Sequence, residues 1–169
     1  MDRRGFVGGV SAAALLLASG AAGQKKYDDG ASDSEIKIGH TGPYSGPASS
    51  LGIIGKCIEA YWKSVNEAGG INGRKIELVA LDDGYDTERA VANTRKLINE
   101  QKTFALMAFY GSSPTTEAMK VFSEAKVPLI GTISGAGSLR TPVNRFMFHL
   151  RASYADETEA LVNHLVGLG

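Results

Sequence analysis

Two adjacent hydroxyls, Ser112 and Ser113, lie where an apolar run ends and a helix signal begins. The stretch reads FALMAFYGSSPTTEAMKVF, from Phe104 to Phe122. Pro114 suits the first turn of a helix, where its missing N–H would have had no partner. A strand that turns through Gly-Ser-Ser into a helix aims backbone N–H groups and hydroxyls at open space, and the helix dipole adds positive potential there. That is the chemistry of an anion site, for a carboxylate or a phosphate. Ser113 is also placed to be a plain helix cap. Ser112 is not needed for that job and is the better ligand candidate. A second loop, Gly131 to Gly137 (GTISGAG), sets Ser134 among glycines that serve either a tight turn or a ligand's close approach.

Catalytic patterns are missing. No G-x-G-x-x-G, phosphate-binding or G-x-S-x-G spacing occurs. His40, His149 and His164 share no metal-ligand spacing. A dyad of Ser112 with His149 is the one enzyme reading to weigh, and it sets no base beside a nucleophile. The chain reads as a binding protein, not an enzyme, and no cofactor is expected. Asp82-Asp83 is read as holding loop N–H groups or capping the next helix rather than binding a metal. Arg140 and Arg145 are expected in solvent. Tyr154 either packs on a ligand or tucks under the first turn of the last helix. Cys57, with apolar Ile54, Ile58 and Tyr61 at helical spacing, is expected to be buried.

These residues need elements to position them. Strand signals cover Glu35–Gly39, Lys75–Leu81, Thr103–Phe109, Val127–Ile130 and Arg145–Leu150. Helix signals cover Ser50–Glu67, a segment capped by Asp86 or Thr87 with Ala90, Val91, Thr94, Leu97 and Ile98 on one face, a third opened by Pro114, and Ala155–Leu168. Ser153 and Asp156 resemble a capping box for the last. Short connections between alternating strands and helices predict an α/β fold, a doubly wound parallel sheet with helices on both faces. Ligands of such sheets bind beyond the carboxyl ends of the strands. Four of the five segments there are rich in Gly, Ser and Thr, and together they form a rim of small hydroxyls and backbone donors.

Of the 169 residues, 18 are basic and 18 acidic. The balance gives nucleic acid no electrostatic footprint. A single cysteine rules out an internal disulfide. The first 23 residues, MDRRGFVGGVSAAALLLASGAAG, read as an export signal of twin-arginine type, with an apolar run too short to span a membrane. No cysteine lies near the expected cleavage site, so a soluble exported protein without a lipid anchor is expected. Residues 24–34 read as a polar tether and 35–169 as the folded lobe.

The segments EIKIGHTGPYSGPASSLG, NEAGGINGRKIELVALDDGYD, FYGSSPTTEA and VPLIGTISGAGSLRTP together resemble the start of type I periplasmic binding proteins of the leucine/isoleucine/valine-binding kind. The resemblance covers essentially all of 35–169. It implies a Rossmann-like or flavodoxin-like N-terminal lobe, closing with a second lobe on a solute and docking on an ABC permease in the membrane. It places the carboxylate contact on Ser112. It sets a backbone carbonyl for an ammonium near Ile133 and a hydroxyl two residues on, at Gly135. The hydroxyl is missing there, although Ser134 adjoins. Leu51 matches a residue that touches the ligand's side chain, and Tyr154 lies near the lobe crossover. Tyr85 and Gly111 match disulfide positions, so that bridge is absent. Such proteins are more than twice this length, so the chain is expected to be an N-terminal portion lacking its second lobe. The expected function is an extracytoplasmic solute-binding protein for an amino acid or similar carboxylate. A sensor domain of the same fold for a small amide or aromatic acid is the alternative.

Overall fold

A computed structural model describes residues 26–169; the expected export signal and the first residues of the expected tether lie outside the described residues. The elements in chain order are β1 (Glu35–Gly42), α1 (Ile53–Glu67), β2 (Lys75–Asp82), α2 (Thr87–Asn99), β3 (Ala105–Met107), α3 (Ser112–Glu124), β4 (Leu129–Ile130), β5 (Met147–Phe148) and α4 (Tyr154–Gly167). A short 3-10 turn, Ser49–Gly52, precedes α1. The sheet order is β2-β1-β3-β4-β5, and every neighbouring pair is parallel. This is the predicted α/β sheet. From β1 the chain moves outward to β2, then returns past β1 to β3. Right-handed crossovers therefore put α1 on one face and α2 and α3 on the other, with the topological switch between β1 and β3.

Local chemistry sets several boundaries. The Asp86 side chain accepts from Arg89 N at 2.7 Å and caps α2. Ser153 and Asp156 close the anticipated capping box on α4. β4 and β5 are shorter than their sequence signals because the chain leaves the ladder early. Before β5, the Asn144 side chain accepts from Phe146 N at 2.9 Å, a local bond that competes with strand pairing. The pairing is uneven across the sheet. β1 and β2 are in register from Glu35↔Lys75 to Gly42↔Asp82, whereas β3–β4 and β4–β5 are each in register over two residue pairs, at Leu129 and Ile130.

The core lies under α2 and α3, which pack against each other. Leu97, Leu106, Phe109, Ala118, Phe122, Leu129, Leu139 and Met147 form it. α1 is different. It lies against β2 on the opposite face, and its one buried residue is Gly55. Cys57 is exposed, contrary to the expectation of burial. Its apolar neighbours misled because the stripe of Ile54, Ile58 and Trp62 is only half-buried and Tyr61 is 62% exposed. The Cys57 thiol should therefore react stoichiometrically with a water-soluble thiol reagent in native buffer, as read by intact mass. Protection until denaturant is added would show that α1 is covered.

The stretch expected as a tether is bonded to the sheet. Ala31 bridges Ile36, and Lys37 N donates to Gly30 O at 2.7 Å. Arg140 is likewise not simply solvated. Its guanidinium donates to the carbonyls of Arg151 and Ala152, at 2.8 and 2.9 Å, and so fixes the chain just before α4.

Candidate functional site

At the carboxyl ends of β1 and β2 a polar scaffold holds the loops in place. His40 is buried, and its Nδ1 donates to the Met107 carbonyl at 3.0 Å, tying β1 to β3. Burial holds the imidazole's pKa below its ordinary value. The Asp82 carboxylate accepts from the N–H groups of Tyr44, Ser45 and Gly84, from the Ser45 hydroxyl and from Arg89. Asp83 accepts from the Thr41 hydroxyl at 2.9 Å and from Tyr85 N at 2.8 Å. The pair does what the sequence suggested, holding loop N–H groups.

Burial pushes the Asp82 pKa up, but the hydrogen bonds from Ser45, Gly84 and Arg89 outweigh it and leave the group well below the usual carboxylate range. A depressed carboxylate stabilises the fold above its unfolded pKa of about 4, and that stability is lost as pH falls through the folded value. Asp82→Asn should therefore destabilise the protein at neutral pH. The gap to the native protein in denaturant midpoint should narrow as pH falls below about 4, where the unfolded chain's carboxylate takes up a proton while the folded one stays ionised. A gap that stays constant into the acid range would mean that the charge of Asp82 is not what holds these loops.

The rim itself sits beyond β3 and β4. Gly111 precedes α3 with φ +92°, and a Cβ there would stand 2.5 Å from the Tyr85 ring. Only glycine combines that backbone with that contact. The two positions that the resemblance matched to a disulfide are thus neighbours, with the Tyr85 ring laid on Gly111. Gly111 has no side chain to cap α3, and no other side chain caps it. Ser113, weighed as a cap, makes no capping bond and is exposed. Ser112 is the first helical residue, and its hydroxyl shares a 2.8 Å hydrogen bond with Ser134 of the loop after β4. Ser134 is fully buried and also accepts from Ala136 N at 3.2 Å.

Tyr154 completes the cluster from the start of α4. Hydrogen bonds with the Ser134 hydroxyl, and then with that of Ser112, hold its phenol below its ordinary pKa. Its N–H donates to the Gly135 carbonyl at 2.8 Å. A Cβ on Gly135 would lie 2.7 Å from the Tyr154 ring and 2.9 Å from its backbone nitrogen. Gly135 carries no hydroxyl because Tyr154 fills that space and brings its own. Ser112, Ser134, Gly135 and Tyr154 thus meet. Ile133 adjoins them, its N–H bonded to Phe109 O at 2.9 Å. Leu51 is half-buried in the 3-10 turn after β1, where its N–H donates to Ala48 O at 3.0 Å. His149 lies elsewhere, with Nε2 donating to Leu139 O at 3.1 Å.

Sequence reasoning missed Arg151 as a site residue. Its guanidinium pairs with both Glu157 oxygens, at 2.6 and 2.7 Å, and stands over the Tyr154 ring, 5.0 Å from the centroid. The signal was an arginine on the rim six residues before a glutamate in a capped first helical turn. A groove of about 800 Å³ lies at the other end of the strands, lined by Tyr27, Lys102, Phe104 and Lys126 among others. Parallel sheets of this kind bind at the carboxyl ends instead. Among the described residues no group of three or more His, Cys, Asp or Glu is arranged to hold a metal, and no helix is long and apolar enough to cross a membrane.

A family model described as periplasmic binding protein matches residues 35–169. An "Amino acid binding protein" of Pseudomonas aeruginosa is 36% identical over 100 residues, covering 55% of this chain and 25% of that protein. A "Leucine-, isoleucine-, valine-, threonine-, and alanine-binding protein" of the same species is 32% identical over 118 residues, or 69% of this chain and 31% of the other. Among solved structures, a possible leucine/isoleucine/valine-binding protein from Rhodopirellula baltica superposes with a TM-score of 0.74 at 32% identity, over 85% of this chain and 38% of that one. A fatty acid ABC transporter substrate-binding protein from Thermomonospora curvata gives 0.73 at 26% identity, over 83% and 35%. The aligned regions are thus about a quarter to a third of the two curated relatives' length.

Proposed function

Since the chain belongs to the periplasmic binding protein family, we propose that it is the N-terminal lobe of an extracytoplasmic solute receptor for an ABC importer, binding an amino acid or similar small carboxylate at the rim beyond β3 and β4. The observation that carries this reading is the meeting of Ser112, Ser134 and Tyr154 at the uncapped start of α3. Three hydroxyls converge beside a helix N-terminus, whose free N–H groups and dipole favour a carboxylate. Relatives whose names specify amino acids or a fatty acid share this lobe, and each of those solutes carries a carboxylate.

The reading assigns residues 1–23 to an export signal and 24–34 to the approach to the lobe. It also places the protein outside the cytoplasm, with a membrane permease as its partner and a second lobe completing the pocket. No base stands beside Ser112, so binding rather than catalysis is its role. The test is a titration of isotope-labelled protein with carboxylated solutes, followed by amide shifts. Saturable shifts at Ser112, Ser134 and Tyr154 support the reading. Shifts confined to the groove at the other end of the strands, or none with any carboxylate, overturn it.

A further inference from the structure

Donors and acceptors at this rim are out of balance. The Ile133 carbonyl accepts from Arg151 Nη1, a long bond of 3.4 Å. The Gly135 carbonyl accepts from Tyr154 N at 2.8 Å, and the Phe109 carbonyl accepts from both Ile133 N and the Thr132 hydroxyl. Both oxygens of Glu157, an acid in the first turn of α4, are taken by Arg151. Each of these acceptors already has a donor, and the charged group turned toward Ile133 is a cation. Donors remain in hand in the first N–H groups of α3, whose N-cap Gly111 has no side chain to accept from them. A guanidinium cannot be deprotonated in a protein, so the imbalance persists at any ordinary pH.

Resting on the proposed solute-binding reading, we infer that this rim takes a carboxylate that carries no α-ammonium, a simple organic acid, and that Arg151 is the residue that sets the preference. An α-amino acid would bring its ammonium against the Arg151 guanidinium and have to share the Ile133 carbonyl with it. A plain acid has no ammonium to set against that guanidinium. Glu157 takes part as a positioning residue: its two-point grip holds the guanidinium in the plane that reaches Ile133 and covers the Tyr154 ring.

The test compares 4-methylpentanoate with L-leucine, which differs from it only by the ammonium. Calorimetric dissociation constants are measured on protein whose amide spectrum shows it folded. The acid is expected to bind at least about tenfold tighter than the amino acid, a difference well above measurement error. Arg151→Gln should remove most of that preference, and Arg151→Lys, which keeps the charge, should retain much of it. Matching amide spectra show that both variants are folded. Equal or tighter binding of leucine overturns the inference and leaves the carboxylate reading standing. A preference unchanged in Arg151→Gln overturns the role of Arg151. Absence of binding by both compounds overturns the inference together with the reading it rests on.

Discussion

Ser112→Ala should weaken carboxylate binding by about 1.5–3 kcal/mol, the range for a hydrogen bond to a charged group. That is roughly a 10- to 150-fold rise in dissociation constant. The lost hydroxyl is the one at the helix start that also reaches Ser134, at 2.8 Å. The fold should feel the change much less. Ser134 keeps its bond from Ala136 N, and a neutral hydrogen bond contributes only about 1 kcal/mol net. Ser113→Ala is the internal control. Ser113 is exposed and caps nothing, so its loss should leave the constant within about threefold. An unchanged constant in Ser112→Ala, or an equal effect in both variants, would remove Ser112 from the site.

Phe122→Ala should be the most damaging single change to the fold, at about 3–5 kcal/mol, because it deletes a buried aromatic ring from the centre of a packed core. Phe122 has no exposed surface and lies with Leu97, Leu106, Phe109 and Leu129. Small domains have stabilities of about 5–15 kcal/mol, so this one change removes a large share. α3 carries both Phe122 in its last turn and Ser112 at its first residue. Loss of the ring should therefore loosen the site as well as the core. Chemical denaturation checks it. A loss below about 1.5 kcal/mol would mean that α3 is not seated on the sheet as described. Half-buried Met119, on the same helix, should be the more tolerant position.

The sequence made the sheet legible where local chemistry and periodicity agreed. Asp86 and the Ser153–Asp156 box were readable because a cap is a contact between residues close in the chain. β1 and β2 were readable to within three residues at their ends because their apolar pattern is long. The failures have a common cause. Cys57, Tyr61 and Arg140 depend on what stands across from them, and periodicity carries no information about the partner. α1 has an apolar stripe, but Ile54, Ile58 and Trp62 on it are only half-buried against the sheet. Arg140 looked like a solvent residue until the carbonyls of Arg151 and Ala152 came within reach. The site shows the same division. Ser112 was a candidate from its loop alone, and Ser134 from the resemblance. Their meeting with Tyr154, and the grip of Glu157 on Arg151, join residues from three parts of the chain and were visible only in the fold.

The uneven pairing of the sheet has a consequence for how such a protein would respond to its solute. β1 and β2 zip together over their full length, while β4 and β5 are each held by two residues. Local opening follows the weakest ladder first. Backbone amides of β1 and β2 should then be the slowest to exchange with deuterated water, and those around β4 and β5 among the fastest in the sheet. Ser134 and Tyr154 hang from that loosely laced side, whereas Ser112 rides on α3, which is anchored in the core. A solute that bridges them therefore fastens a yielding edge to a rigid one. Occupancy would register as slowed exchange along β4 and β5, well beyond the atoms that the solute touches.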